Sequence, residues 1–457
     1  MEKRCNRIMI AGTGSGSGKT TLTCGILMAL KKRKLKAGSC KCGPDYIDPM
    51  FHSRIFDIPS INLDLFFTEP QVMNYLLYRN GQDRDITVIE GVMGFYDGLS
   101  MESDQASSYE VAKVSKTPVI LTIPCKGMAY SVVPLIRGMV EFRKDSNIKG
   151  IILNQVSDMT YPQLKAVIEQ EIGIPVLGHL PVLKDFVLQS RHLGLVMPQE
   201  RENFSAELEH LGEVIETYIN IEEIIKIASQ APEISCKNPL EKEEKLFVHP
   251  EISLGVAEDE AFCFYYRDNL KLLEELGCKL VKFSPIHDKK LPEQIQGMLL
   301  GGGYPELYAQ QLSENQSMKQ SIQKALKAGM PCIAECGGFQ YLQKSLWVEG
   351  VEYPMADVIS STSENTGKLV RFGYIHLQGS QETPYLKVGE TIKAHEFHYY
   401  DSTDNGKTCL AVKPSGKRQW QCVHGVKNLF AGYPHLYFYS NIEFVKHFIK
   451  VCQGWKI

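Results

Sequence analysis

Lys19 and Thr20 close the run AGTGSGSGKTTLT, residues 11–23, and their types and spacing suit phosphate chemistry. A lysine ammonium offsets phosphate charge, and a neighbouring threonine hydroxyl can ligate Mg²⁺, so the pair points to a nucleoside triphosphate. Gly12, Gly14, Gly16 and Gly18 let backbone N–H groups turn inward, because glycine carries no Cβ to block close approach. The apolar run 8–10 before the loop predicts a strand, and residues 22–30 after it predict an amphipathic helix, the context such a loop needs. That helix adds unpaired N–H groups and the positive end of its dipole. Five residues rather than four separate Gly12 from Gly18, so the loop is a variant of the usual spacing. Gly14, Gly16, Gly18, Lys19, Thr20 and Thr21 are the expected nucleotide contacts.

Acids follow at the ends of later strands. A strand through residues 36–41 would carry GPDYIDP at its carboxyl end, where doubly wound sheets bind ligands. A single Asp among Gly and Pro is usually a turn former. Two of them, Asp45 and Asp48, with Tyr46 between, favour a metal or substrate role. The buried strand expected at residues 86–89 ends in Glu90, a position that holds Mg²⁺ or orients its waters beside a phosphate loop. Asp97 follows in a Gly-containing loop and is evenly balanced between turn and substrate contact. QSRHLGL, residues 189–195, is expected to be a loop carrying Arg191 and His192.

A second chemical centre lies in MPCIAECGGFQYL, residues 330–342. A short strand ends at Ala334, Cys336 occupies the turn, and Gly337-Gly338 open a helix. Such an elbow exposes sulfur at a helix N-terminus, where the dipole is expected to lower the thiol pKa from about 8.5. Backbone N–H groups of Gly337 and of the glycine loop 301–303, centred on Gly302, could form an oxyanion hole. A thiolate nucleophile needs a base. His395 and His398 in AHEFHY would point to opposite faces of a strand, which makes a poor metal pair. His435, in AGYPHLYF, is as readily a core histidine as a catalyst.

The elements that must position these residues read as α/β throughout. Further strands are expected at 118–123 and 149–153, each followed by a helical pattern, which predicts a parallel sheet. Residues 229–250 hold three prolines and a mixed charge run and read as a linker. Domains are therefore expected at 1–230 and 250–457, with residues 231–249 between them. A second α/β pattern begins with a strand at 252–257, a helix around 269–276 and a strand at 279–283.

The chain has 457 residues, 44% apolar and 23% charged, as in a soluble globular protein of two domains. A net charge of −3 argues against a nucleic-acid partner held by bulk electrostatics. The best candidate for a membrane span, residues 117–140, is broken by Lys126 and Arg137. Basic N-terminal residues run directly into the phosphate loop, so a cytoplasmic chain is expected. Thirteen cysteines at scattered spacings fit buried thiols in a reducing compartment, and the lone CxC at Cys40 and Cys42 does not make a zinc site.

GTGSGSGKTT, KCGPDYIDPMFH, EGVMGFYDG and RHLGL together resemble the cobyrinate a,c-diamide synthase family, which amidates peripheral carboxylates of a corrin precursor. The resemblance implies an N-terminal P-loop domain similar to dethiobiotin synthetase. GGGYPELY, AECGGFQYL, AHEFHY and GYPHLYF are similar to the class I glutamine amidotransferase domain of the same synthases. The match is collinear over nearly the whole chain. Carried over, Cys336 is the nucleophile toward glutamine and His435 its base. Typical class I glutaminases place a Glu two residues after that His; here the position is Tyr437, so a dyad is expected.

The expected activity is ATP- and glutamine-dependent amidation of cobyrinate through acyl phosphates, with ammonia passing inside the protein. Cys336, His435, Asp45 and Glu90 are the expected catalytic residues. Thr20, Asp45 and Glu90 are the expected metal ligands, and Tyr46, Asp97 and His192 the expected substrate contacts. The expected partners are cobyrinate, L-glutamine and ATP, with Mg²⁺ as cofactor; the sequence sets no oligomeric state. Hydrogenobyrinate or a nickel sirohydrochlorin would suit the same motifs. A partitioning-type ATPase switch would explain the loop but not Cys336.

Overall fold

In the computed structural model the structure describes residues 2–183, 190–191, 194–195, 204–241 and 252–455. The chain forms two compact units, Met1–Glu241 and Lys242–Ile457.

In the first unit seven strands run parallel: β1 (Arg7–Gly12), β2 (Ala37–Cys42), β3 (Ser60–Leu63), β4 (Ile86–Glu90), β5 (Val119–Pro124), β6 (Ile148–Asn154) and β7 (Val176–Leu180). Their order is β3-β2-β4-β1-β5-β6-β7. Every residue of β1, β2 and β4 is buried, which is why these strands read as nearly continuous runs rather than as alternation. Helices α1 (Lys19–Lys32) and α2 (Ile47–Phe56) follow β1 and β2. The order places the carboxyl end of β4 beside β1, where α1 begins, and that of β2 one strand further out.

The expected linker starts too early. Ile234–Ser235 pairs antiparallel with Glu2–Lys3, and the carbonyl of Pro232 accepts from the buried Arg7 guanidinium at 2.7 Å. Backbone pairing thus ties residues 232–235 into the first unit, despite their prolines and charges. The expected loop at 189–195 contains a minimal antiparallel ladder, Ser190–Arg191 with Gly194–Leu195, and His192 lies outside the described residues.

The second unit is built on β8 (Ile252–Ala257), β9 (Cys278–Phe283), β10 (Gly297–Leu300), β11 (Cys332–Glu335), β12 (Arg371–Gly379), β13 (Thr391–His398), β14 (Cys409–Val412), β15 (Gln419–Cys422), β16 (His424–Val426), β17 (Leu429–Gly432) and β18 (His435–Leu436). One sheet has the order β9-β8-β10-β11-β17-β16, parallel except at the β17–β16 edge. A second, antiparallel sheet has the order β15-β14-β12-β13-β18. The chain leaves β17 of the first sheet and, after Tyr433-Pro434, enters β18 of the second. That change of sheet carries His435 to the carboxyl end of β11, because β17 is the parallel neighbour of β11 with Glu335 in register with Gly432.

Candidate active sites

The phosphate loop spans the gap between β1 and α1. Gly18 sits at the helix entry with φ 95°, and a methyl group there would lie 2.2 Å from Asn154 Nδ2, so only glycine fits. The Ser17 carbonyl accepts from Asn154 Nδ2 at 3.1 Å and from Thr122 Oγ1 at 3.3 Å, pinning the loop to the ends of β6 and β5. Lys19 Nζ donates to the carbonyls of Gly14, at 2.9 Å, and Met93, at 2.6 Å. Burial, with the nearby Lys41 charge, pulls the Lys19 ammonium down to about 8. Gly16 is exposed, and Gly14, Gly18 and Thr21 are half-buried, leaving the rim of the loop accessible.

Beneath the loop lies a buried charge cluster. Thr20 Oγ1 donates to Glu90 Oε1 at 2.6 Å, and Lys41 Nζ reaches the same oxygen at 2.7 Å. Lys41 also pairs with Asp48 Oδ2 at 2.5 Å. Burial alone would neutralise Lys41, but the charges of Asp48 and Glu90 outweigh it and hold the ammonium well above its ordinary pKa. Asp48 is likewise pushed up by burial, yet Lys41 holds it below the usual carboxylate value. His52 is buried and neutral, with Nδ1 2.9 Å from Ser39 Oγ and Nε2 3.7 Å from Glu90 Oε2.

The sequence-predicted acids take different places. Glu90 is fully buried at the centre of the cluster. Asp45 lies at the mouth of α2, where its Oδ1 accepts the Ile47 amide at 2.8 Å, the turn-forming alternative for this residue. Burial and the Asp48 charge raise Asp45 to about 7. It is Asp48 that shares a cation with Glu90. Tyr46 is buried at the start of α2. Asp97 Oδ2 accepts the Gly94 amide at 2.7 Å and so shapes the 91–98 loop, which is fastened to the phosphate loop by Phe95 N–H to Gly12 O at 2.8 Å. Lys41 and His52 were missed as functional candidates, whereas Asp48 had been weighed together with Asp45. The signal for Lys41 was a charge inside a strand otherwise made of small and apolar residues.

These residues fit a magnesium ion bound with phosphates. Glu90 Oε2 is buried without a hydrogen-bond partner, beside the Thr20 hydroxyl. Among the described residues no group of three or more His, Cys, Asp or Glu could hold a metal without other ligands. One carboxylate and a hydroxyl, completed by phosphate oxygens and water, is a common Mg²⁺ arrangement.

In the second unit Cys336 turns the chain between β11 and a short helix, α3 (Gly337–Leu342), with φ 45° and ψ −102°. Non-glycine residues held at positive φ cluster at functional sites. All thirteen cysteines are described, and twelve of them are buried; Cys336 keeps partial exposure. The Gly338 amide donates to Gly301 O at 2.9 Å, which draws Gly337 against the glycine loop. A methyl group on Gly302 would meet His435 Cε1 at 2.3 Å, so the glycine loop lies flush against the imidazole.

The expected lowering of the thiol pKa is not found. Burial, then the Glu306 charge, pushes Cys336 well up, and α3 is too short for its dipole to win. Burial likewise pulls His435 down to about 3. Both shifts favour the uncharged thiol and the uncharged imidazole. His395 is the register partner of His435 on β13, while His398 stacks on Tyr433 at 3.9 Å, its Nδ1 2.6 Å from Tyr400 O. Tyr437 directs its hydroxyl to Asp268, at 3.3 Å. Glu335, missed from the sequence, lies 3.8 Å from His435 Nδ1.

The family models divide at the same two centres. Residues 8–195 match the CobQ/CobB/MinD/ParA nucleotide binding domain, and residues 253–442 match the CobB/CobQ-like glutamine amidotransferase domain. The chain is a glutamine amidotransferase joined to a nucleotide-binding domain. It is 40% identical over 455 residues to the cobyrinate a,c-diamide synthase of Caldanaerobacter subterraneus subsp. tengcongensis, covering 99% of each chain. The enzymes of that name from Listeria innocua and Clostridium tetani are each 38% identical, over 95% and 96% of this chain and 97% and 98% of their own. The chain belongs to the cobyrinate a,c-diamide synthase family.

Proposed function

We propose that this enzyme amidates the a and c carboxylates of cobyrinate, using ATP to activate each carboxylate and glutamine to supply ammonia. The observation that carries the reading is the presence, in one chain, of a phosphate loop over a Thr20–Glu90–Lys41 cluster and, in the second unit, of Cys336 at a strand–helix elbow whose strand ends in Glu335, 3.8 Å from His435. The relatives' shared name favours cobyrinate over other tetrapyrroles.

A carboxylate oxygen of the corrin side chain attacks the γ-phosphorus, and the bond to ADP breaks. Lys19 and the loop amides offset the charge gathering on the phosphoryl oxygens. Thr20 and Glu90 would hold Mg²⁺, which supplies further charge neutralisation when bound. Lys41 fixes Glu90 and Asp48 in place, and Asp45 and Tyr46 lie at the start of α2, where a substrate side chain would arrive. Ammonia then attacks the acyl phosphate, and phosphate departs.

That ammonia comes from glutamine. Cys336 attacks the side-chain amide as its proton passes to His435, giving a thioester that water later cleaves. Amides of Gly302 and Gly337 would stabilise the oxyanion. A cytoplasmic setting is supported by thirteen cysteines of which twelve are buried. No helix among the described residues is long and apolar enough to cross a membrane.

The test is mass spectrometry of cobyrinate, hydrogenobyrinate and nickel sirohydrochlorin, each incubated with MgATP and glutamine. Two successive amidations of cobyrinate are expected. Carboxylates labelled with ¹⁸O should deliver the label to inorganic phosphate. Amidation without that transfer would eliminate the acyl phosphate.

A further inference from the structure

The imidazole of a Cys–His pair needs its second nitrogen held, so that Nδ1 keeps a proton and Nε2 stays free to accept one. In this chain Tyr437 stands where similar glutaminases carry an acid, and its hydroxyl reaches Asp268. We propose that Glu335, the residue immediately before the nucleophile, is the positioning residue for His435.

The fold places it there by register. Glu335 ends β11 directly beside Gly432 of β17, and three residues later the chain returns as β18. Glu335 Oε1 accepts the Leu436 amide at 3.2 Å, which anchors the carboxylate to the backbone next to His435. Its Oε2 faces His435 Nδ1 at 3.8 Å, a separation that one small rotation on substrate binding closes. Both side chains are largely buried. One carboxylate oxygen is therefore committed to holding the group still, and the other is directed at the ring.

The remaining titratable neighbours do not fill this role. His395 lies across from His435 on β13 but is held neutral by burial, at about 3. His398 stacks on Tyr433, and Glu396 is tied electrostatically to Arg371 and Lys413. Glu306 acts on Cys336 and raises its thiol. Tyr265 is buried beside Glu335, with its hydroxyl donating to Ala257 O at 2.6 Å and accepting from Gly301 N at 2.8 Å.

The inference rests on reading Cys336 as nucleophile and His435 as base. As the thiol proton moves to His435 Nε2, sulfur bonds to the amide carbon. The C–N bond then breaks, and the same proton leaves with ammonia. Throughout, Glu335 accepts from Nδ1–H and stabilises the transient imidazolium. Only the ionised carboxylate can do so. Burial raises Glu335 to about 8, and the group lines a cavity of about 20 Å³ with Tyr265, Asn269 and Leu299, room for one water to solvate it. Glutamine hydrolysis should therefore climb as Glu335 loses its proton.

The experiment compares Glu335→Gln, His435→Ala and the double variant in the full-length enzyme, following glutamate release and ammonium-dependent amidation across pH. Glu335→Gln should lower kcat for glutamine by about 10- to 100-fold with KM little changed, spare ammonium-dependent amidation, and abolish the alkaline rise. In the His435→Ala background the same substitution should cost nothing further. An equal cost in both backgrounds, or wild-type glutaminase in Glu335→Gln, overturns the proposal. If Glu335→Gln also loses ammonium-dependent amidation, its fold is damaged and the unmodified enzyme decides: a flat kcat for glutamine from mildly acidic to alkaline pH overturns it. Normal glutaminase in His435→Ala would instead overturn the underlying assignment of the base.

Discussion

Lys41 and Glu90 are register partners on adjacent parallel strands, and their side chains meet at 2.7 Å in the interior of the first unit. The pair sits directly under Thr20, so a cation on β2 sets the position of the acid that serves the phosphate loop from β4. Lys41→Met should remove amidation with either nitrogen source, because Glu90 and Asp48 would lose their shared counter-charge. It should also destabilise the first unit by about 3 kcal/mol, since two buried carboxylates are left uncompensated. Urea unfolding and product formation check both parts, and unchanged amidation would reduce Lys41 to a structural cation.

Lys19→Ala should abolish amidation with glutamine and with ammonium alike. Its ammonium already bridges two loop carbonyls, so the loop loses both its shape and its phosphate counter-charge. ATP binding by calorimetry and ammonium-dependent turnover are the readouts. Turnover near wild type would refute the phosphate-loop assignment.

Cys336→Ala should eliminate glutamine hydrolysis while leaving ammonium-dependent amidation working at alkaline pH, where NH₃ rather than NH₄⁺ is present. Sulfur takes no part in phosphorylating a carboxylate. Glutamate and amide products followed in parallel decide the matter; loss of both activities in a folded variant that binds ATP would contradict separate centres.

Alkylation of Cys336 by iodoacetamide should be slow at neutral pH and rise steadily with pH. The sign follows from burial, which raises the thiol and lowers His435, so neither group is charged in the free enzyme at neutral pH. A preformed thiolate–imidazolium pair would instead give a rate already level at acidic pH. Peptide mass spectrometry can assign the label to Cys336, because the other twelve cysteines are buried.

Arg7→Met should weaken the first unit by about 3 kcal/mol, because buried carbonyls lose a charged donor. The guanidinium is fully buried and donates to Cys5 O at 2.8 Å, Ser115 O at 2.6 Å and Pro232 O at 2.7 Å. An earlier urea transition checks it, and a shift within error would show that water replaces these bonds.

The sequence by itself determined the features written in consecutive residues. The phosphate loop was legible because strand, glycines, lysine and helix follow one another, and each acts through backbone amides close in the chain. Glu90 was legible as an acid ending an apolar strand, and Cys336 as a cysteine before two glycines. The tertiary structure decided everything that depends on which strands lie side by side. Thr20, Lys41 and Glu90 converge because the strand order places β4 between β2 and β1. Asp45 and Asp48 look alike in GPDYIDP, yet one takes the helix-entry amides and the other takes Lys41, a difference set by the direction in which α2 leaves the sheet. The lowered thiol expected from a helix dipole gave way to burial, which depends on how completely the second unit surrounds the elbow. Glu335 beside His435 is a relation between residues a hundred positions apart, created where the chain leaves one sheet for another. No local pattern records such a meeting, because parallel pairing brings together side chains whose separation in sequence is set by the connections between strands.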